Sequence, residues 1–311
     1  MAKSRAYIGH LMIIGTTIIY SFNTNFMKLL IPEWIGPNGL VLLRCLASAL
    51  GFWIINLFIR PTATAPSPKR KDILMMMAGG VLGMGGNLLF YINGIALTGP
   101  VDAFVIRTIQ PIIVIALAVI FFKAVFTKYK AFGILFGLAG ALYISLMPHR
   151  GIVKDSFGGD VLIFLSSVSY SFFLLLIKPY TTKFDSVTVM KWMSLASFII
   201  ALPFGIKQLL NAPLFFNHPP LHIWLELSYI LIFATLLGYF LSVAALNYIS
   251  PFIESMYKYL LPVTGAAVTI AMGLQKFSWH DPIALMLIII GFLLINKKVK
   301  PCTPIRQEKQ S

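Results

Sequence analysis

Over 311 residues the chain is 58% hydrophobic and only 11% charged, with a formal net charge of +15. A soluble domain carries roughly 25% charged residues, so composition excludes a water-soluble enzyme or binding module and leaves an integral membrane protein. The positive excess reads as membrane topology and contact with anionic lipid, not as a nucleic-acid surface.

At about 20 apolar residues per crossing, the chain divides into ten helical spans with no strand pattern. They cover residues 7–28, 37–59, 72–97, 99–123, 128–147, 159–178, 187–206, 222–246, 250–274 and 280–297. Between them stand breaker-rich stretches such as "PEWIGPN", "RPTATAPSPKRKD" and "MPHRGIVKDSFGGD". Lys3 and Arg5 precede the first apolar run, and no small-residue cleavage site interrupts it before Tyr20, so a retained first span is expected. The loops are too short for a soluble domain, which puts any chemistry inside the membrane. Trp34, Trp224 and Trp279 near span ends suit an interfacial belt.

Lysine and arginine set the orientation. With the amino terminus inside, 16 of the 25 fall on the cytoplasmic side, five fall outside, and Arg44, Arg107, Lys191 and Lys258 lie within spans. The bias predicts two cytoplasmic termini. Lys191 is expected to snorkel to an interface, whereas Arg44 is open between that and an inward position.

Arg107 stands in "GPVDAFVIRTIQP", where a charge at the bilayer centre costs at least about 2.5 kcal/mol. An internal repeat sharpens the point. "PVDAFVIRTIQP" aligns with "PFIESMYKYLLP" at an offset of 151, which matches Arg107 with Lys258 and Pro111 with Pro262. Earlier in each half, Gly9, Tyr20, Ser21, Phe22 and Lys28 match Gly159, Tyr170, Ser171, Phe172 and Lys178 at 150. Five spans are an odd number of crossings, so the second copy enters the membrane inverted. The domain reading is a first five-helix repeat over 1–150, an inverted second over 151–300 and a basic cytoplasmic tail over 301–311.

At about 1.5 Å per residue, Arg107 and Lys258 each lie about 12 Å into their spans, near the midplane. Pro111 and Pro262 cannot bond the carbonyls of residues 107 and 258, so a kink with a free acceptor is expected beside each cation. Such an acceptor needs a protein, water or ligand partner, which favours a wet central cavity. Glu254 is one turn before Lys258 and can pair with it; the matching position is Ala103, and Asp102 points elsewhere, so Arg107 has no local partner. Tyr20, Asn23, Asn25, Asn87, Tyr91, Gln110, Ser169, Tyr170, Tyr239, Ser242 and Tyr257 are the further candidates to line the cavity, each also able to serve as a helix-packing hydrogen bond. Gly79 with Gly83, and Gly133 with Gly137, have the spacing of close helix approach, and the five glycines of "GGVLGMGGN" could let the third span bend.

The ten spans in two halves, "YSF" in the first span of each half, and the turns "IALTGP" and "AALNYISP" before the fourth resemble the EamA type of the drug/metabolite transporter superfamily. The resemblance covers residues 7–297. It implies a ten-helix secondary transporter that moves metabolites or toxic compounds by alternating access through a cavity between its halves. Where that family often has Gly-Glu after the fourth span of a half, this chain has Lys123-Ala124 and Leu274-Gln275, so no role of that glutamate carries over.

Two intramembrane cations favour a small organic metabolite with a carboxylate or phosphate, bound through Arg107 and Lys258. The alternative is a proton-coupled exporter of neutral or cationic amino acids or drugs, with Glu254 as the coupling group. An enzyme is disfavoured: the metalloprotease, nucleophile-elbow and phosphate-loop motifs are missing, and the five histidines lie near span ends. Cys45 and Cys302 have neither disulfide nor metal-ligand spacing, so no metal or cofactor is expected. The expected surroundings are a small-molecule substrate and a bacterial inner membrane with anionic lipid on its cytoplasmic face. A homodimer is allowed, and no nucleic-acid partner is expected.

Overall fold

The computed structural model describes residues 6–58, 67–97, 103, 106–123, 127–146, 157–271 and 280–296, which form helices and connecting turns with no strand among the described residues. In chain order the helices are α1 (Ala6–Leu30), α2 (Pro37–Phe58), α3 (Arg70–Leu97), α4 (Gln110–Phe122) and α5 (Lys128–Leu146). The second half repeats the series as α6 (Phe157–Lys183), α7 (Ser186–Leu210), α8 (Leu221–Ala245), α9 and α10 (His280–Asn296). Here α9 comprises Pro251–Met256, a 3-10 turn over Tyr257–Tyr259 and Leu260–Ala271. Each expected span overlaps one of these ten, the fourth through α4 only over its second half; the basic tail, Cys302, Asp102 and Trp279 lie outside the described residues.

Equivalent helices pair across the repeats. α2 packs on α7 and α5 on α10, while α3 lies against α6 as α8 lies against α1. Glycines permit the closest approaches. A Cβ on Gly205 of α7 would come within 2.4 Å of the Asn38 carbonyl of α2, and one on Gly291 of α10 within 2.7 Å of the Gly133 carbonyl of α5. Gly79 and Gly83 face Ile177 and Phe173 of α6, as their spacing predicts. Gln208 of α7 caps α2, its Oε1 accepting from the Asn38 and Gly39 amides at 2.8 and 3.1 Å. At the other end of the molecule the Lys183 ammonium meets the Asp72 carboxylate at 2.8 Å, joining α6 to α3.

Among the described residues, five helices are long and apolar enough by themselves to cross a bilayer: α2, α3, α6, α7 and α8. α1 matches them in length, but Thr16, Thr17, Ser21, Asn23 and Thr24 are buried along it. The outward faces carry Ile54, Leu57, Ile120, Phe121, Phe204, Leu225 and Ile232. A soluble monomer does not sustain so much contiguous exposed apolar surface, whereas hydrocarbon chains cover it without cost.

Four departures from regular helix, two in each repeat, surround the centre. α3 is π-helical over Val81–Gly86 and α8 over Ile230–Leu237, at equivalent places in the two repeats. The other two correct the expected kinks. Pro111 is not inside a bent helix: Ile106 and Arg107 end one helical piece, Thr108 and Ile109 turn, and α4 starts afresh with proline in its first turn. Pro262 likewise stands in the first turn of Leu260–Ala271, just after the 3-10 turn. A proline ring clashes with the carbonyl four residues back, but in a first turn no amide is needed, so the chain breaks and restarts instead of bending.

Candidate functional site

The breaks in the fourth and ninth spans open on a central cavity whose space clear of atoms, its open mouth included, is about 460 Å³. Its wall is Tyr20, Asn23 and Thr24 of α1, Arg44 of α2, Asn87, Leu88 and Tyr91 of α3, Arg107 ahead of α4, Tyr170 of α6, Tyr239 of α8, and Lys258 and Leu261 of α9. Backbone irregularity in a membrane is tolerated where it lines such a cavity.

Asn25 and Ser169 donate to the Ser21 and Leu82 carbonyls and Ser242 is buried outside the lining, but of the thirteen residues expected from sequence to line this cavity eight do so: Arg107, Lys258, Tyr20, Asn23, Asn87, Tyr91, Tyr170 and Tyr239. Tyr257 does not. Its neighbour Lys258 takes the inward position, and about 100° of helical rotation turns the phenol toward α1, where its hydroxyl meets His10 Nδ1 at 2.8 Å. Gln110 is also outside the lining; it is fully buried at the start of α4, and neither of its amide atoms has a hydrogen-bond partner among the described residues. Thr24, Leu88, Leu261 and Arg44 are additional. Arg44 is the consequential one, since it is 2% exposed and faces inward.

Each cation has different company. Lys258 Nζ lies 3.4 Å from Glu254 Oε1, 4.8 Å from the ring centre of Tyr170 and 5.7 Å from that of Tyr20. The Tyr170 hydroxyl donates to the same Glu254 oxygen at 3.0 Å. Ser250, accepting from the Ile253 amide, and Pro251 at the first helical position start this piece of α9. The i, i+4 spacing then places Glu254 and Lys258 on one face. Glu254 Oε2 is buried with no partner among the described residues.

The Arg107 guanidinium lies 4.0 Å above the Tyr91 ring, and its Nε is buried without a hydrogen-bond partner among the described residues. Arg44 Nε donates to Thr235 Oγ1 at 2.8 Å, and Nη1 approaches Met27 Sδ at 3.4 Å. Thr235 belongs to the π-helical part of α8 and donates in turn to the Ile230 carbonyl at 2.7 Å. Among the described residues no carboxylate lies within ion-pairing distance of either arginine. Asn87 is held by the Ser166 carbonyl at 2.9 Å, so α6 positions it at the cavity wall.

Lys191 remains at the periphery, its ammonium 4.4 Å from the Trp53 ring centre and 5.4 Å from that of Trp192. Among the described residues, no group of three histidine, cysteine, aspartate or glutamate side chains is arranged to hold a metal ion.

Two five-helix repeats enclosing a polar cavity within the membrane describe a polytopic transporter. The chain belongs to the EamA-like transporter family, which it matches twice, over residues 7–146 and 157–297. It is 24% identical over 297 residues to an uncharacterized transporter, YyaM, of Bacillus subtilis (strain 168), with 94% of each chain covered. A solved protein crystal structure superposes on it with a TM-score of 0.72 at 17% identity, covering 94% of this chain and 96% of the other, which is a likeness of fold.

Proposed function

We propose that the protein is a secondary active transporter that carries a small organic anion, with a carboxylate or phosphate, through the central cavity by alternating access. One observation supports this above all: three cations, Arg44, Arg107 and Lys258, line the cavity, against a single adjacent carboxylate among the described residues, Glu254. Buried ions are retained where a partner neutralises them, and here the solute is that partner. Neither arginine nor lysine alone would define a recess, but four tyrosines and two asparagines shape one around them. The test is a ligand screen by melting temperature, since a ligand that binds only the folded state raises it. Organic acids and phosphorylated metabolites should stabilise the purified protein, and stabilisation by neutral or cationic solutes alone would overturn the assignment.

The repeats over 1–150 and 151–300 would be the two moving halves, in a bacterial inner membrane with both termini in the cytoplasm. This follows from the distribution of 16 and five basic residues about the spans. A reporter fused after Ser311 should then read as cytoplasmic, and one inserted between Pro148 and Asp160 as external. The opposite result at both sites would invert the topology.

A second reading is favoured by Glu254. Its carboxylate is fully buried, shared between Tyr170 and Lys258, and has one oxygen unpartnered among the described residues. A proton taken there would couple transport to a pH gradient, whether the cargo is an anion, as above, or a neutral or cationic amino acid or drug. Glu254→Gln should leave solute exchange intact in proteoliposomes while abolishing accumulation driven by the gradient. Normal accumulation would reduce Glu254 to the fixed partner of Lys258.

A further inference from the structure

We propose that the transported solute is a dianion, a dicarboxylate or a phosphomonoester of a small metabolite, and that Arg44 and Arg107 together hold its two negative charges. The inference rests on the reading of the cavity as an anion site and narrows it. It begins from which charges are already matched. Lys258 has Glu254 at 3.4 Å, so that pair is neutral as a unit and does not by itself demand a ligand charge. The two guanidinium groups are left, and they face the same cavity.

Neither has a counter-ion among the described residues. Arg44 is 2% exposed and bonds only a hydroxyl and a thioether, both neutral. Arg107 is 9% exposed, rests on the face of Tyr91, and keeps a buried Nε without a partner among the described residues. Neutral hydrogen bonds and a cation–π contact recover part of what each guanidinium loses on leaving water, but they leave its charge in place. Two such charges in one low-dielectric recess also repel each other. A monoanion would match one and leave the other buried and unmatched. A dianion matches both.

Depth and shape agree with this. Arg44 lies seven residues into α2, about 10 Å along the helix axis. Its equivalent in the second repeat is Ser194, which is neutral, so the second guanidinium is a feature of the first repeat alone. Thr235, from the π-helical segment of α8, fixes Arg44 through Nε and so leaves the outer edge of the fork for a carboxylate or phosphate. Arg107, stacked on Tyr91, is fixed in the same manner by a ring. The two arginines thus form a preset pair of anion receptors from α2 and the break before α4, while Lys258 and Glu254 match each other.

The experiment uses the full chain in proteoliposomes and solutes matched in length but not in charge. Succinate is compared with succinamate and butyrate, and glycerol 3-phosphate with its methyl phosphodiester, as competitors of exchange and as stabilisers against heat. In the wild type a dianion should bind at least about tenfold more tightly than its monoanionic counterpart, the lower end of the range for one charge-assisted bond. Arg44→Gln should weaken the dianion about tenfold more than it weakens the monoanion, and Arg44→Lys should recover part of that difference. The two dianion families tell dicarboxylate from phosphate ester. Equal affinity for dianion and monoanion in the wild type overturns the inference, as does an Arg44→Gln variant that weakens both alike, and the wild-type comparison decides even if that variant does not fold. If no anion of either charge binds and exchange is confined to neutral or cationic solutes, the anion site itself is wrong, a result distinct from a site that accepts monoanions equally well.

Discussion

Replacement of Arg107 by glutamine should weaken binding of an anionic solute about 10- to 150-fold, the equivalent of losing one charge-assisted hydrogen bond of about 1.5 to 3 kcal/mol. The fold should survive, because the guanidinium touches the Tyr91 ring and has no ion-pair partner among the described residues whose loss would strand a second charge. Removing a buried charge without a counter-ion relieves a desolvation penalty, so the ligand-free variant should melt no lower than the wild type. Arg107→Lys keeps the charge but not the planar fork and should restore affinity only in part. Calorimetric affinity and melting temperature, measured on the same preparation, separate the two roles. A variant that binds as tightly as wild type, or one that melts earlier with unchanged affinity, would make Arg107 a structural ion.

Gly80→Ala should be the most damaging single methyl group in α3. A Cβ at Gly80 would sit 2.1 Å from the Met193 carbonyl oxygen and 2.6 Å from the Met193 carbonyl carbon and Cα. All three are backbone atoms of α7, so no side chain can swing aside and the two helices must separate. Overpacking of this kind costs typically about 1 to 3 kcal/mol and occasionally more. Gly15 of α1 provides the control, since a Cβ there meets nothing within 4 Å. Thermal unfolding in detergent should show Gly80→Ala melting well below wild type and Gly15→Ala close to it. Equal melting of the two would mean that α3 and α7 do not pack as described.

The ten spans were legible because a lipid-covered helix must be apolar over its whole length, a signal that survives without knowledge of packing. The pairing of Arg107 with Lys258 was legible too, since an inverted repeat writes the same structural position twice. Arg44 illustrates where that signal stops: its repeat equivalent is Ser194, and a lone arginine early in a span reads equally well as a snorkelling residue. Only the approach of Thr235 from α8 distinguishes the two, and that contact spans 191 positions in sequence. Tyr257 shows a limit of resolution, since adjacent residues on a helix face directions about 100° apart and a break moves the register by part of a turn. The prolines correctly marked where the helices fail but not how. The π-helical segments had no visible mark in α8, and in α3 only the glycine run hinted at irregularity.

The central claim is that the cavity recognises its cargo by negative charge. The most direct measurement is counterflow in proteoliposomes loaded in turn with an acidic, a zwitterionic and a cationic metabolite panel, with wild type and Arg107→Gln run side by side. The account predicts saturable exchange of an acidic solute that Arg107→Gln suppresses at low solute concentration and that high concentration restores. Exchange confined to zwitterionic or cationic solutes, equally fast in Arg107→Gln, would contradict it.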